Sequence, residues 1–154
     1  MINILFVCLG NICRSPMAEF MLKDMAKKAG KADEFQIASA ATSAYEIGNG
    51  VHNGTREVLD RLGISCDGKT ARQMTREDYA NYDYLIGMDA ANIENMKDIA
   101  GGDADGKIYK MLDFAGRDAD VADPWFTGNF EVTYHDIKEG LEGFWNRLCC
   151  KDPL

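Results

Sequence analysis

The sequence predicts an α/β protein, a three-layer αβα sandwich around a central, mostly parallel sheet of about four strands. Short runs rich in β-branched and aromatic residues alternate with longer segments whose apolar residues recur at helical spacing. This alternation is typical of parallel strands joined by helices that cover both faces of the sheet. The length of 154 residues suits one domain, and no linker or internal repeat divides residues 1–154.

Four strands and five helices are predicted in order along the chain. Each strand is a short apolar run, at residues 2–6, 35–40, 84–88 and 108–112. Apolar residues at helical spacing predict helices that begin at Pro16, near Thr55, after Thr75, after Asp89 and at Phe130. Thr75 with Asp78 has the spacing of a capping box, and glycines at 30, 63 and 101–102 predict three of the helix ends.

The segment between the first strand and the first helix predicts a phosphate-binding loop. Such a loop directs backbone N–H groups into one concavity, and the helix N-terminus adds partial positive charge. Gly10 and Asn11 tolerate the backbone angles of a tight curl. Ser15 is expected to be the N-cap of the helix, with Pro16 at its first position.

This loop carries its own candidate nucleophile, Cys8. A helix N-terminus and a neighbouring arginine favour the thiolate of a cysteine, and a thiolate beside a bound phosphate can attack phosphorus. The guanidinium of Arg14 can hold two phosphoryl oxygens, and the Ser15 hydroxyl can donate to the sulfur. The alternative interpretation is that Cys8 and Cys13 are small buried residues and that Arg14 is a surface charge.

Composition excludes several functional classes. The net charge of −8 argues against nucleic-acid and anionic-membrane binding. No run approaches the roughly 18 apolar residues of a membrane span, and no signal peptide is evident, so a cytoplasmic protein is expected. Five cysteines without a C-x-x-C pair favour neither a disulfide framework nor a zinc site. We therefore expect no metal and no cofactor.

Several segments resemble the low-molecular-weight protein tyrosine phosphatases, in family order over nearly the whole chain. These segments are Cys8-Leu-Gly-Asn-Ile-Cys-Arg-Ser-Pro, Ser39-Ala-Ala-Thr-Ser-Ala-Tyr-Glu-Ile-Gly, Ala71-Arg-Gln-Met-Thr-Arg-Glu-Asp, Tyr82-Asp-Tyr-Leu-Ile-Gly-Met-Asp and Asp123-Pro-Trp. The resemblance implies hydrolysis of phosphotyrosine and small aryl phosphates through a cysteinyl phosphate, without metal. Phosphotyrosine-containing proteins or peptides would be the partners, inorganic phosphate the product, and the enzyme a monomer or weak dimer.

The resemblance also assigns roles to residues. Asp123 would be the general acid and then the general base, although Asp-Pro taken alone is a turn dipeptide. Ser39 would support the loop by bonding to Asn11, and Asp89 is expected to cap a helix and to brace the site. The remaining substrate-binding candidates are Leu9, Gly10, Asn11, Ile12, Cys13, Ser15, Tyr45, Trp125 and Phe126.

This chain departs from the family pattern in two places. Trp125 and Phe126 replace the tyrosines that usually follow the proline, so phosphorylation should not control this segment. Some members carry a histidine shortly before the Ala71 segment, and residues 67–70 contain none. In addition, Cys13 could capture an oxidised Cys8 as a reversible disulfide.

The sequence leaves three alternative functions open. A thiol-dependent arsenate reductase has a similar loop but needs two further cysteines, and none lies between Met88 and Leu112. The related phosphoarginine phosphatases tend to carry threonine where this chain has Ile12, and an apolar residue there favours an aryl ring. A non-catalytic phosphoprotein-binding module would be expected to lack Cys8 or Asp123.

Overall fold

The computed structural model describes residues 1–149 and contains a four-stranded sheet. The strands follow the spatial order β2-β1-β3-β4, and every pair is parallel. Their bounds are Ile2–Cys8 (β1), Phe35–Ala41 (β2), Tyr84–Gly87 (β3) and Ile108–Lys110 (β4). The predicted α/β class and parallel sheet are therefore confirmed.

The sheet lies between two layers of helices. The helices are Arg14–Lys28 (α1), Asn53–Arg61 (α2), Arg76–Asn81 (α3), Ala90–Ala100 (α4), Pro124–Thr127 (α5) and Phe130–Cys149 (α6), with short 3₁₀ turns at Ala32–Glu34 and Met111–Ala115. Ile4 and Phe6 of β1 pack in the larger core with α1 and α6. Leu5 and Val7 point to the opposite face and pack with α4. The alternation of side chains along β1 thus produces the three layers.

Most boundaries agree with the sequence, and the differences have local causes. β1 extends two residues past the predicted end, because Val7 and Cys8 continue the pairing with β2. The last strand stops at Lys110, and the predicted residues 111–112 belong to a 3₁₀ turn instead. The short helix α5 was not predicted, since Asp123 and the residues after it were expected to form a loop.

The predicted helix signals are present at α3 and α4. Thr75 and Asp78 form a capping box at the start of α3. Asp89 caps α4 by accepting a hydrogen bond from the Asn92 N–H at 2.7 Å. Gly101 ends α4 in the left-handed conformation, with φ of 80°.

Within residues 1–149, no helix combines the length and the apolar character that crossing a membrane requires.

Candidate active site

The loop between β1 and α1 lies at the carboxyl end of the sheet and turns its carbonyl oxygens outward. The Cys8 and Leu9 carbonyls accept hydrogen bonds from the backbone N–H groups that follow β2, at 2.9 and 3.0 Å. The Ile12 and Cys13 carbonyls accept from the His52 N–H at 2.9 Å and from the Thr55 hydroxyl at 3.0 Å. With these oxygens held on the outside, the concavity of the loop is left to N–H donors.

Asn11, rather than Gly10, makes the tight curl of this loop. Asn11 has φ of 59° and is the one residue other than glycine with a positive φ in the described part of the chain. Gly10 does not have a positive φ, so the prediction that it adopts the backbone angles of the tight curl is wrong. A Cβ at Gly10 would come within 3.3 Å of the Glu46 side chain, a tight contact that Glu46 would have to relieve by a small shift.

The Cys8 sulfur is surrounded by three hydrogen-bond donors. It accepts from the Asn11 N–H at 3.3 Å and from the Ser15 N–H at 3.4 Å, and it lies 3.0 Å from the Ser15 hydroxyl. Both N–H groups lie at the positive end of α1, where an anion is favoured. This environment stabilises a thiolate.

The prediction that Ser15 caps α1 is wrong. The helix begins at Arg14, its N-cap position is Cys13 without a side-chain bond, and Ser15 and Pro16 are its second and third residues. The Ser15 hydroxyl is engaged by the sulfur and by the Asn11 amide, which donates to it at 2.8 Å. A tertiary role has therefore replaced the local capping role.

The Asn11 side chain connects the loop to β2. Its amide nitrogen donates to Ser15 and also to the Ser39 hydroxyl at 2.9 Å, and its carbonyl oxygen accepts from the Arg72 N–H at 3.2 Å. The contact between Asn11 and Ser39 is the one that the family resemblance implies. Three of the four hydrogen-bonding positions of the Asn11 side-chain amide are therefore satisfied, and these bonds support the left-handed curl.

Arg14 is buried beneath the loop, with 2% of its side chain exposed. It donates to Asp89 at 2.7 Å, to the Val121 carbonyl at 3.0 Å and to Asp123 at 3.4 Å. Burial acts to lower the pKa of the guanidinium, but the charge of the Cys8 thiolate and the contacts with Asp89 and Asp123 outweigh it and raise that pKa. The expectation that Asp89 both caps a helix and braces the site agrees with this geometry.

Asp123 is the N-cap of α5. Its Oδ1 accepts from the Trp125 N–H at 3.1 Å, and its Oδ2 faces Arg14. Pro124 occupies the first helical position, where its missing N–H costs nothing. The preceding Ala122 carbonyl is fixed by the Thr133 hydroxyl of α6 at 2.9 Å. The carboxylate is thus held at the entrance of the loop with 20% of its side chain exposed.

These residues line a cleft of about 200 Å³ that is partly open to solvent. Most of the side chains at its mouth are aromatic, and Tyr45, Trp125 and Phe126 are 85%, 61% and 78% exposed. The lining comprises Cys8, Leu9, Gly10, Ile12, Cys13, Arg14, Ser43, Tyr45, Glu46, Asp123, Trp125 and Phe126.

The cleft therefore brings together most, but not all, of the residues predicted from the sequence. Asn11, Ser15 and Ser39 do not line it; their side chains are buried below the loop. Sequence reasoning missed Ser43 and Glu46, although both lie within the segment after β2 that carries the family resemblance. Glu46 places an acidic group at the mouth of the cleft.

Cys13 also lies in the cleft but differs from Cys8 in its environment. Burial and the negative charges of Cys8 and Asp123 raise the pKa of its thiol to about 12. Cys13 therefore stays protonated at neutral pH. Among residues 1–149, no cluster of three or more histidine, cysteine, aspartate or glutamate side chains could hold a metal ion.

Comparison with known proteins gives one consistent result. A sequence model of the family described as low molecular weight phosphotyrosine protein phosphatase matches residues 3–152. The Bacillus subtilis protein named low molecular weight protein-tyrosine-phosphatase YfkJ is 47% identical over 144 residues, which are 92% of each chain. Its crystal structure superposes with a TM-score of 0.94 over 99% of this chain and 97% of that one.

Two further similar structures are described as phosphatases of different substrate classes. A low molecular weight protein tyrosine phosphatase from Streptococcus pyogenes is 42% identical, with a TM-score of 0.86 and coverage of 96% of this chain and 93% of that one. A Drosophila arginine phosphatase is 28% identical, with a TM-score of 0.88 and coverage of 97% and 99%. The identity to this arginine phosphatase is lower than the identity to the tyrosine phosphatase from Streptococcus pyogenes.

Proposed function

The chain belongs to the low molecular weight phosphotyrosine protein phosphatase family, and on that basis we propose that Cys8, Arg14 and Asp123 carry its chemistry. The protein is a protein-tyrosine phosphatase, and its family acts on phosphoproteins. Cys8 is the nucleophile, Arg14 binds the transferred phosphoryl group, and Asp123 moves the protons. The observation that carries this proposal is the Cys8 sulfur held by three donors directly beside the buried Arg14 and Asp123.

In the first step, the Cys8 thiolate bonds to phosphorus and the bond from phosphorus to the tyrosine oxygen breaks. Protonated Asp123 gives its proton to that oxygen, because an unprotonated phenolate is a poor leaving group. The loop N–H groups and Arg14 bind the equatorial oxygens as their charge shifts. The products of this step are tyrosine and a cysteinyl phosphate.

In the second step, water hydrolyses the cysteinyl phosphate. The Asp123 carboxylate takes a proton from the water, the water oxygen bonds to phosphorus, and the sulfur leaves as a thiolate. The Ser15 hydroxyl and the two N–H groups receive the negative charge on that sulfur. Inorganic phosphate departs, and Asp123 is again protonated. Neither step requires a metal or a cofactor.

Hydrolysis of p-nitrophenyl phosphate in the presence of EDTA tests these assignments. We expect Cys8→Ser to abolish turnover, because an alkoxide is not available at neutral pH. Arg14→Lys, which keeps the charge but loses the planar fork, should lower kcat by at least about 100-fold. Turnover that survives Cys8→Ser would reject the nucleophile.

The wall of the cleft supports an aryl substrate. Tyr45, Trp125 and Phe126 offer exposed ring faces, and Ile12 adds an apolar side chain at the floor. A phosphotyrosine ring can pack against such a wall. Tyr45 and the other lining residues are accordingly proposed as the substrate-binding set.

The physiological setting follows from the same chemistry. We propose a cytoplasmic enzyme, because a catalytic thiolate needs a reducing compartment. Its substrates would be phosphotyrosine-containing proteins or peptides, and neither nucleic acids nor membranes would be partners, since the net charge is −8. We further propose that it works as a monomer or weak dimer.

Cys13 is proposed to protect the nucleophile from oxidation. Hydrogen peroxide oxidises the Cys8 thiolate to a sulfenic acid and is itself reduced to hydroxide, which takes a proton from the solvent and becomes water. The Cys13 sulfur then displaces hydroxide from that sulfenic acid, which leaves a Cys8–Cys13 disulfide and a second water. Because the pKa of Cys13 is about 12, Cys13 remains a thiol until this step.

A further inference from the structure

A buried carboxylate that the reaction does not use lies behind the phosphate-binding loop. Glu19 of α1 is 4% exposed and is therefore one of the few charged residues in the interior. Its Oε1 accepts from the Ser39 hydroxyl at 2.5 Å, and its Oε2 accepts from Lys23 at 2.6 Å. Glu19 is thus the acidic partner of an ion pair, and a carboxylate in an ion pair only accepts hydrogen bonds.

Lys69 is a second cation that contacts the Glu19 carboxylate. Its ammonium lies 3.4 Å from Glu19 Oε1 and donates to the Ser39 carbonyl at 3.0 Å, and its side chain is 13% exposed. Burial lowers the pKa of Lys69; Glu19 opposes this shift, and the charges of Arg72 and Lys23 add to it. Arg72 itself is paired with Asp78 at 2.9 Å. Lys69 lies in residues 67–70, where the expected histidine is absent.

The direction of each hydrogen bond from this pair to the nucleophile can be assigned. Because ionised Glu19 only accepts, the Ser39 hydroxyl must donate to it, so Ser39 offers a lone pair to the Asn11 amide nitrogen. The Arg72 N–H fixes the same orientation of that amide from its other end.

The second amide hydrogen of Asn11 is donated to the Ser15 oxygen at 2.8 Å. The hydrogen of the Ser15 hydroxyl is then directed to one of two acceptors, the Cys8 sulfur at 3.0 Å or the Ala40 carbonyl at 3.4 Å. The sulfur is nearer, and as a thiolate it is the stronger acceptor.

We propose that Glu19 and Lys69 are positioning residues: as an ion pair, they fix the direction of the hydrogen bonds through Ser39 and Asn11, so that Ser15 donates to the Cys8 thiolate. This inference rests on the proposed role of Cys8. Protonation of Glu19 would give its oxygen a hydrogen that competes with the Asn11 amide for the Ser39 lone pairs. The fixed direction of the hydrogen bonds from Asn11 to Ser15 and from Ser15 to the Cys8 sulfur would then be lost.

The test measures the reactivity of the sulfur without turnover. Alkylation of Cys8 by iodoacetamide is followed at about pH 6 and about pH 10, with the modified cysteine located by mass spectrometry. Lys69→Met removes the charge and keeps the chain length, Lys69→Arg restores the charge, and Lys28→Met is the matched control. Lys28 forms an exposed ion pair with Asp24 on the same helix, at 2.9 Å.

We expect Lys69→Met to slow alkylation about fivefold at the lower pH, roughly the worth of one hydrogen bond. At the higher pH all variants should agree within about twofold, because the thiol is then ionised without assistance. The kcat for p-nitrophenyl phosphate should fall in parallel with little change in KM. Lys69→Arg and Lys28→Met should behave as the wild type.

Equal rates for Lys69→Met and wild type at both pH values would overturn the inference. So would an equal loss at both pH values in a folded variant, because that pattern indicates a distorted loop. If Lys69→Met does not fold, Ser39→Ala interrupts the same series and must show the same pH-selective loss. Turnover by Cys8→Ser would reject the nucleophile assignment separately, since the alkylation rates do not depend on turnover.

Discussion

Arg14 and Asp89 form a 2.7 Å ion pair that joins the start of α1 to the start of α4. One Asp89 oxygen caps α4, and the other binds the guanidinium. The same carboxylate therefore ties the phosphate-binding arginine to the framework of the sheet.

The Asp89→Asn variant separates these two functions. Asparagine keeps one oxygen for the cap, but it presents an amide nitrogen to Arg14, which is also a donor. We expect kcat for p-nitrophenyl phosphate to fall by about 10- to 100-fold, the range for a charge-assisted hydrogen bond. Asp89→Ala should cost about 1 kcal/mol more in urea unfolding, because the cap is lost too. A kcat within twofold of wild type would contradict this role; exposed Asp118→Asn is the control.

The Asp123→Asn variant tests the general acid. Asparagine is a good N-cap, so α5 should be retained and stability should change by less than about 0.5 kcal/mol. We expect turnover of a phosphotyrosine peptide to fall by about 100- to 10,000-fold. The fall on p-nitrophenyl phosphate should be smaller, because nitrophenolate leaves without a proton. Equal losses on both substrates would argue against proton donation to the leaving group.

The Cys13→Ser variant tests protection against oxidation. Wild-type enzyme treated with peroxide should lose activity and regain it with dithiothreitol. In Cys13→Ser the sulfenic acid has no partner, so recovery should become incomplete as sulfinic acid accumulates. Mass spectrometry of the treated protein should find a Cys8–Cys13 disulfide in wild type. Recovery that is equally complete in both proteins would eliminate the protective role.

The raised pKa of Cys13 also predicts a pH dependence of stability. Below about pH 9 the thiol is protonated in both folded and unfolded chains, so its contribution is constant. Between pH 9 and the folded pKa of about 12, only the unfolded chain releases this proton, and the free energy of unfolding falls. The difference is about 2 kcal/mol at about pH 10.5.

Chemical unfolding of wild type and Cys13→Ala at a series of pH values isolates this contribution. The variant should lose less stability between about pH 9 and about pH 10.5, because other titrating groups affect both proteins equally. Parallel curves for the two proteins would show that the folded state does not disfavour the Cys13 thiolate.

The strands and the main helices were predictable because they depend on local patterns, and the candidates Cys8 and Arg14 followed from the local pattern of their loop. Apolar runs indicated the strands, and the residues of the loop between β1 and α1 indicated anion chemistry. Asp123 was found through the family resemblance, since Asp-Pro alone is a common turn.

The contact of the Ser15 hydroxyl with the Cys8 sulfur was predicted, but the position of Ser15 inside α1 and the role of Glu19 could not be predicted in the same way. Ser15 has the local signature of an N-cap, but tertiary contacts with Cys8 and Asn11 determine its position. Glu19 is followed by Lys23 at the spacing of an ordinary surface pair, and its contacts with Ser39 and Lys69 come from other segments of the chain. Such assignments depend on contacts between distant parts of the chain.

The outward-facing carbonyl oxygens of the loop have a consequence for the enzyme at rest. A cavity lined by N–H groups and one guanidinium recognises the shape and charge of a small tetrahedral anion more than the group attached to it. Inorganic phosphate, the product, should therefore compete with each new substrate. The rate of dephosphorylation would then depend on the phosphate concentration around the enzyme, and tetrahedral oxyanions that resemble phosphate would act as inhibitors.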